Sequence, residues 1–100
     1  LVENPNNLIN EAINLANKFT INSAQVSVAM TRHMLWTYSS EIDPESAHIT
    51  ESKLIDSRGS SDDAKEGVMS FLEKRKPSFK NKISKDLPTI FPWRKSKFED

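Results

Sequence analysis

Apolar residues recur along this chain at intervals of three and four, and the runs are separated by capping residues and prolines, so the pattern predicts helices. The first begins where Asn4 can cap and Pro5 takes the first helical position, and Leu8, Ala12, Leu15, Ala16 and Phe19 form its stripe. Ser23 is a suitable cap for a second helix, with Val26, Ala29, Met30 and Met34 on one face and Trp36 and Tyr38 near its end. Asp43-Pro44 repeats the cap-plus-proline signal and opens a third helix through Ala47, Leu54 and Ile55, stopped at Arg58-Gly59. In the fourth, Ser60 and Asp63 have capping-box spacing, and Asp62 and Asp63 place acid at the positive end of the dipole. Ala64, Val68, Phe71 and Leu72 line one face of this helix, Lys74 and Arg75 complement its negative end, and Pro77 terminates it. The expected fold is therefore all-α, with about four helices and neither a strand nor an internal repeat.

Beyond Pro77 the pattern dissolves. The segment is Lys-rich, carries Pro88 and Pro92, and is expected to be extended, ordered only where Phe79, Ile83, Leu87, Phe91 and Trp93 find a surface. Residues 1–76 thus read as a helical unit and residues 77–100 as a basic tail. Charge sharpens that division. The chain is neutral overall, yet residues 1–73 hold five basic and eleven acidic side chains, while residues 74–100 hold nine basic and three acidic. An acidic body with a basic tail implies that the tail folds back or meets an anion.

Composition removes several functional classes. With no cysteine there is no disulfide framework, thiol nucleophile or thiolate metal site. No apolar run exceeds three residues, so a membrane span is not expected, and a cytoplasmic location is. One hundred residues make one small domain at most, and a domain of this size retains little net stability, about 5–15 kcal/mol. Met30, Met34, Trp36 and Phe71 add more apolar surface than four short helices bury. The chain reads as an interaction part, packed on another domain or on copies of itself.

Candidate chemistry is sparse. Glu45, His48 and Glu51 recur every three residues, and Glu-x-x-His is half of a carboxylate-bridged two-metal motif. The second copy such a site needs is missing, so a solvated or salt-bridging face is the better reading and no metal is expected. His33 stands apart from any carboxylate in sequence. Asp62, Asp63 and Glu66 have the residue types for acid–base work, but capping and the helix dipole already explain that position. With only Gly59 and Gly67 there is no phosphate-cradling loop. Gly67 inside a helix costs about 1 kcal/mol relative to alanine, which suggests close packing against a neighbouring backbone. In the tail, Lys80, Lys82, Lys85, Arg94, Lys95 and Lys97 alternate with Phe79, Phe91, Trp93 and Phe98, a pattern shared with single-stranded nucleic-acid binders. Docking on the chain's own acidic body explains it better at zero net charge, and no nucleic-acid partner is expected.

The stretch from Ser60 to Phe79 carries Asp63, Glu66-Gly67, Phe71-Leu72-Glu73-Lys74-Arg75, Pro77 and Phe79 without a gap. It resembles the C-terminal signature of the crotonase superfamily, the enoyl-CoA hydratases and isomerases. Ala29 to Trp36 is similar to the preceding helix of that family, as is Leu1-Val2 followed by an Ala-containing helix. Ser84-Lys85-Asp86-Leu87-Pro88 and Phe91-Pro92-Trp93 resemble the longer tail of one hydratase-like subgroup. The departures are small: Ala24 where the family often has proline after Asn-Ser, no lysine beside Arg32, and Arg94 where a second tryptophan would follow Trp93.

The resemblance implies a C-terminal trimerisation layer that also completes an acyl-CoA pocket, partnered by its own catalytic core and by other subunits. It places Phe71 and Lys74 at positions bordering the adenosine end of bound CoA, with no covalently bound cofactor and acyl-CoA as the parent protein's substrate. The oxyanion amides and catalytic carboxylates of the family precede this region. No catalytic residue is therefore assigned here, and the chain alone is expected to be inactive. A free-standing helical interaction module and a weak tail-borne nucleic-acid binder are the alternatives from other classes.

Overall fold

The computed structural model describes residues 1–40 and 43–90; the expectations placed on Phe91, Trp93, Arg94, Lys95, Lys97 and Phe98 lie outside the described residues. All regular structure among them is helical. A 3-10 turn, Pro5–Asn7, leads into α1 (Leu8–Thr20), followed by α2 (Gln25–Tyr38), α3 (Pro44–Gly59), α4 (Asp62–Leu72) and α5 (Ile83–Asp86). The four helices expected from periodicity are α1 to α4. The fifth is one turn within the tail, where an extended chain was expected. Asp86 explains it, because its carboxylate accepts the N–H of Lys82 at 2.7 Å and closes the turn.

The starts follow the sequence signals in two cases and depart from them in two. Asn4 accepts from Asn6 N, and Asp43 accepts from Glu45 N, each ahead of a proline. Ser23 does not cap α2. Its hydroxyl donates to Phe19 O at 2.8 Å, closing the end of α1, and Ala24 occupies the N-cap of α2 without a side-chain bond. Ser60 does not cap α4 either. Ser61 does, its Oγ accepting from Ala64 N at 3.2 Å, while Asp63 is turned toward the tail.

The core is a small cluster in which Val26, Met30 and Leu54 are buried, with Met34, Tyr38 and Leu87 packed around it. It joins α2 to α3, and Tyr38 Oη and Thr50 Oγ1 add a hydrogen bond of 2.7 Å across the pair. Leu87 brings the end of α5 onto the same cluster, so the tail is ordered at this position as its apolar residues suggested. An open groove of about 620 Å³ runs between α2 and α3, with Met30, Met34, Leu35 and Leu54 among its walls.

Much of the predicted apolar surface stays uncovered by this chain. No residue of α1 is buried, and Leu8, Ile13, Leu15 and Phe19 are all more than half exposed. Trp36 is exposed under Arg32, whose guanidinium carbon lies 4.5 Å from the ring centroid. A radius of gyration of 17.0 Å, against about 13 Å for a compact domain of this length, fits helices that do not close around one core.

Candidate functional site

Helix α4 buries a different side from the one its apolar pattern marks. Val68, Phe71 and Leu72 are 60%, 81% and 66% exposed, whereas its two buried residues are Asp63 and Ser70. At 100° per residue, positions 63, 67 and 70 share one face, and that face receives the chain after Pro77. Asp63 Oδ1 accepts Lys80 N at 2.8 Å and Asn81 N at 3.0 Å. Glu66 Oε1 accepts Ser78 N at 2.8 Å. The ring of Phe79 lies beside Gly67, 3.8 Å from where a Cβ would stand. That is ordinary contact with a side chain, so the close backbone approach expected at Gly67 is not present among the described residues.

The described part of the tail just after Pro77 folds back onto α4, and it does so through its backbone. A strand-like segment without a sheet has orphan N–H groups, and the two carboxylates satisfy three of them. Arg58, at the end of α3, completes the arrangement by donating from Nη2 to Asn81 Oδ1 at 2.7 Å. The same nitrogen stands 3.8 Å from Asp63 Oδ2, close enough for ion pairing and too far for a hydrogen bond.

The end of α4 is built differently from its sequence signals. The helix stops at Leu72, five positions before Pro77. Lys74 N donates to Phe71 O at 3.2 Å and Arg75 N to Ser70 O at 3.0 Å, the paired bonds of a Schellman turn. Such a turn needs a left-handed residue, usually glycine, and here it is Lys74 with φ 54°. Phe71 and Lys74, three residues apart, therefore do not share a helical face. Lys74 lies outside the helix, and the turn rather than the helical period relates it to Phe71. Both side chains are exposed. Lys74 forms no ion pair among the described residues.

Arg75 does not simply complement the dipole. Its terminal nitrogens grip Glu66 in a bidentate pair, with Nη2 to Oε2 at 2.9 Å, and its Nε donates to Glu73. The Arg75 hydrogen bonds, and then the Ser78 N–H, hold the Glu66 carboxyl down at about 2, while Glu66 and Glu73 raise the Arg75 guanidinium further above its already high value. Sequence reasoning missed this pair, since a separation of nine residues follows no helical rule.

The other sequence candidates are not drawn into a site. Glu45, His48 and Glu51 are exposed, His48 and Glu51 at the rim of the α2–α3 groove, and among the described residues no group of three His, Asp or Glu side chains is placed to hold a metal. His33 is half-buried on α2. No helix of the described residues is long and apolar enough to cross a membrane.

The family model for enoyl-CoA hydratase/isomerase matches residues 2–82, from the start of the chain through the segment docked on α4, and the chain belongs to that family. Among similar proteins are three from Alternaria alternata. It is 41% identical over 80 residues to enoyl-CoA hydratase AKT3-2, 44% over 70 residues to enoyl-CoA hydratase AFT3-1 and 43% over 70 residues to enoyl-CoA hydratase ACTT3. The matches cover 80%, 70% and 70% of this chain but 26%, 23% and 23% of those relatives, so it spans about a quarter of their length.

Proposed function

We propose that this chain is the C-terminal part of an enoyl-CoA hydratase/isomerase, where it closes the acyl-CoA site and packs against its own catalytic core and other subunits in a trimer-based assembly. The single observation that carries the reading is the exposed end of α4, where Phe71 and Lys74, the latter without an ion pair among the described residues, stand exposed at a turn closed by backbone hydrogen bonds. Lysine suits a phosphate as a mobile point charge, and an aromatic beside it suits adenine or the pantetheine arm. The unburied stripes of α1 and α4 support the packing role, since apolar faces of this extent mark interaction surfaces. The acid–base chemistry on a thioester enolate belongs to the preceding part of the parent protein.

The test is kinetic. In the full-length protein, Lys74→Ala should raise KM for crotonyl-CoA by the equivalent of about 1–2 kcal/mol and leave kcat nearly unchanged, because the contact is remote from the reacting carbon. An unchanged KM, or a loss confined to kcat, removes Lys74 from the site.

A further inference from the structure

We infer that Glu66 and Arg75 are positioning residues for Lys74, holding it in its left-handed conformation and leaving its charge free for a phosphate. This rests on the reading of Lys74 as a CoA phosphate contact and adds the residues that make the contact possible. A lysine with positive φ is held against its own preference, so its surroundings must over-determine it. The Schellman turn supplies part of that constraint. The rest comes from one carboxylate: Glu66 binds Arg75, the next residue, and also the N–H of Ser78, so the chain leaving Lys74 is tied back to α4 at two points. On the other side, Glu73 is bonded to Arg75 as well. Lys74 therefore sits between two residues whose side chains are locked to each other.

The charges reinforce the geometry. The C-terminal end of a helix is the negative end of its dipole, a poor place for an anion, and Glu66 and Glu73 would make it worse. Arg75 engages both carboxylates, and the carbonyls of Met69, Ser70 and Phe71 are already accepting bonds in the turn. Lys74 and Lys76 remain as the exposed cations of the turn with no ion pair among the described residues. Glu66 acts on Lys74 through its bonds to Arg75 and to the Ser78 N–H, while Arg75 offsets the charge it brings.

The decisive experiment uses the full-length protein with Glu66→Gln, Arg75→Gln, Lys74→Ala and the Glu66→Gln/Lys74→Ala double variant. Each is assayed on crotonyl-CoA and on crotonyl-N-acetylcysteamine, which keeps the thioester and lacks the nucleotide phosphates. Glu66→Gln should raise KM for crotonyl-CoA roughly three- to tenfold with kcat held, and leave KM for the truncated thioester where it was. The double variant should be no worse than Lys74→Ala alone, since a positioning residue has nothing left to position. Arg75→Gln, which frees two carboxylates beside Lys74, should act in the same direction. If Lys74→Ala raises KM while neither Glu66→Gln nor Arg75→Gln does, or if their effects add fully to that of Lys74→Ala, the positioning role is wrong and the phosphate contact stands. If Lys74→Ala is silent, the contact itself is wrong and the positioning role falls with it. Equal losses on both substrates would mark Glu66 as merely structural and overturn the inference.

Discussion

Replacing Lys74 by glycine should make the protein more stable and bind its substrate less well. The two effects have separate physical origins. Lys74 occupies φ 54°, a region that disfavours any residue with a Cβ by roughly 1–2 kcal/mol, and glycine removes that penalty. Glycine also has more freedom to lose on folding, about 0.5–1 kcal/mol, so the net gain is on the order of 0.5–1 kcal/mol. The turn itself is made of backbone bonds, Lys74 N to Phe71 O and Arg75 N to Ser70 O, and glycine keeps both. Alanine, by contrast, retains the Cβ and should be nearly neutral in stability. On the proposed role of Lys74 as a phosphate contact, the two variants ought to behave alike against ligand, each losing about 1–2 kcal/mol, or roughly a five- to thirtyfold rise in KM for acyl-CoA. Urea midpoints and steady-state kinetics on wild type, Lys74→Gly and Lys74→Ala would read both orders at once. Stability should run glycine above lysine and alanine, and affinity should run lysine above glycine and alanine. A glycine variant no more stable than alanine would refute the strained turn. A glycine variant with wild-type KM would show that the ammonium makes no contact.

Other consequences can be checked independently. Gly67→Ala should stabilise by about 0.5–1 kcal/mol in urea unfolding, because an added Cβ meets only the Phe79 ring at ordinary contact distance and helix propensity improves; a destabilised variant would reveal a tighter neighbour. Asp63→Ala strands the N–H groups of Lys80 and Asn81 and should cost about 2–4 kcal/mol, read as faster amide exchange at those two positions than elsewhere in the tail. The Glu66 carboxyl, depressed to about 2, contributes stability that is complete above the ordinary carboxylate value near 4.5 and is lost as pH falls through about 2. Its carbon resonance and the Ser78 amide should therefore titrate together at that low pH, and a midpoint near 4 would mean the pair with Arg75 is not formed. Purified without the rest of the parent, the chain should not turn over crotonyl-CoA; measurable hydration above a no-protein control would reverse that assignment.

Helix positions and family membership were legible in the sequence because both are carried by local order. Capping residues before prolines, spacing of three and four, and the ungapped run from Asp63 to Phe79 are properties of neighbours along the chain. The charge split between body and tail left two outcomes open, a tail that folds back or one that meets an anion. What the tail meets was decided only in three dimensions, since backbone N–H groups exist at every residue and no side-chain pattern says which will find Asp63 or Glu66. The face of α4 was decided there too. Periodicity marks Val68, Phe71 and Leu72 for burial, yet within this chain the face of Asp63, Gly67 and Ser70 is the covered one, because the docked segment offers polar groups that need partners. Lys74 is the clearest case. Nothing in its side chain favours positive φ, and it adopts that conformation because bonds from Arg75 to Ser70, and from Arg75 and Ser78 to Glu66, close the turn around it.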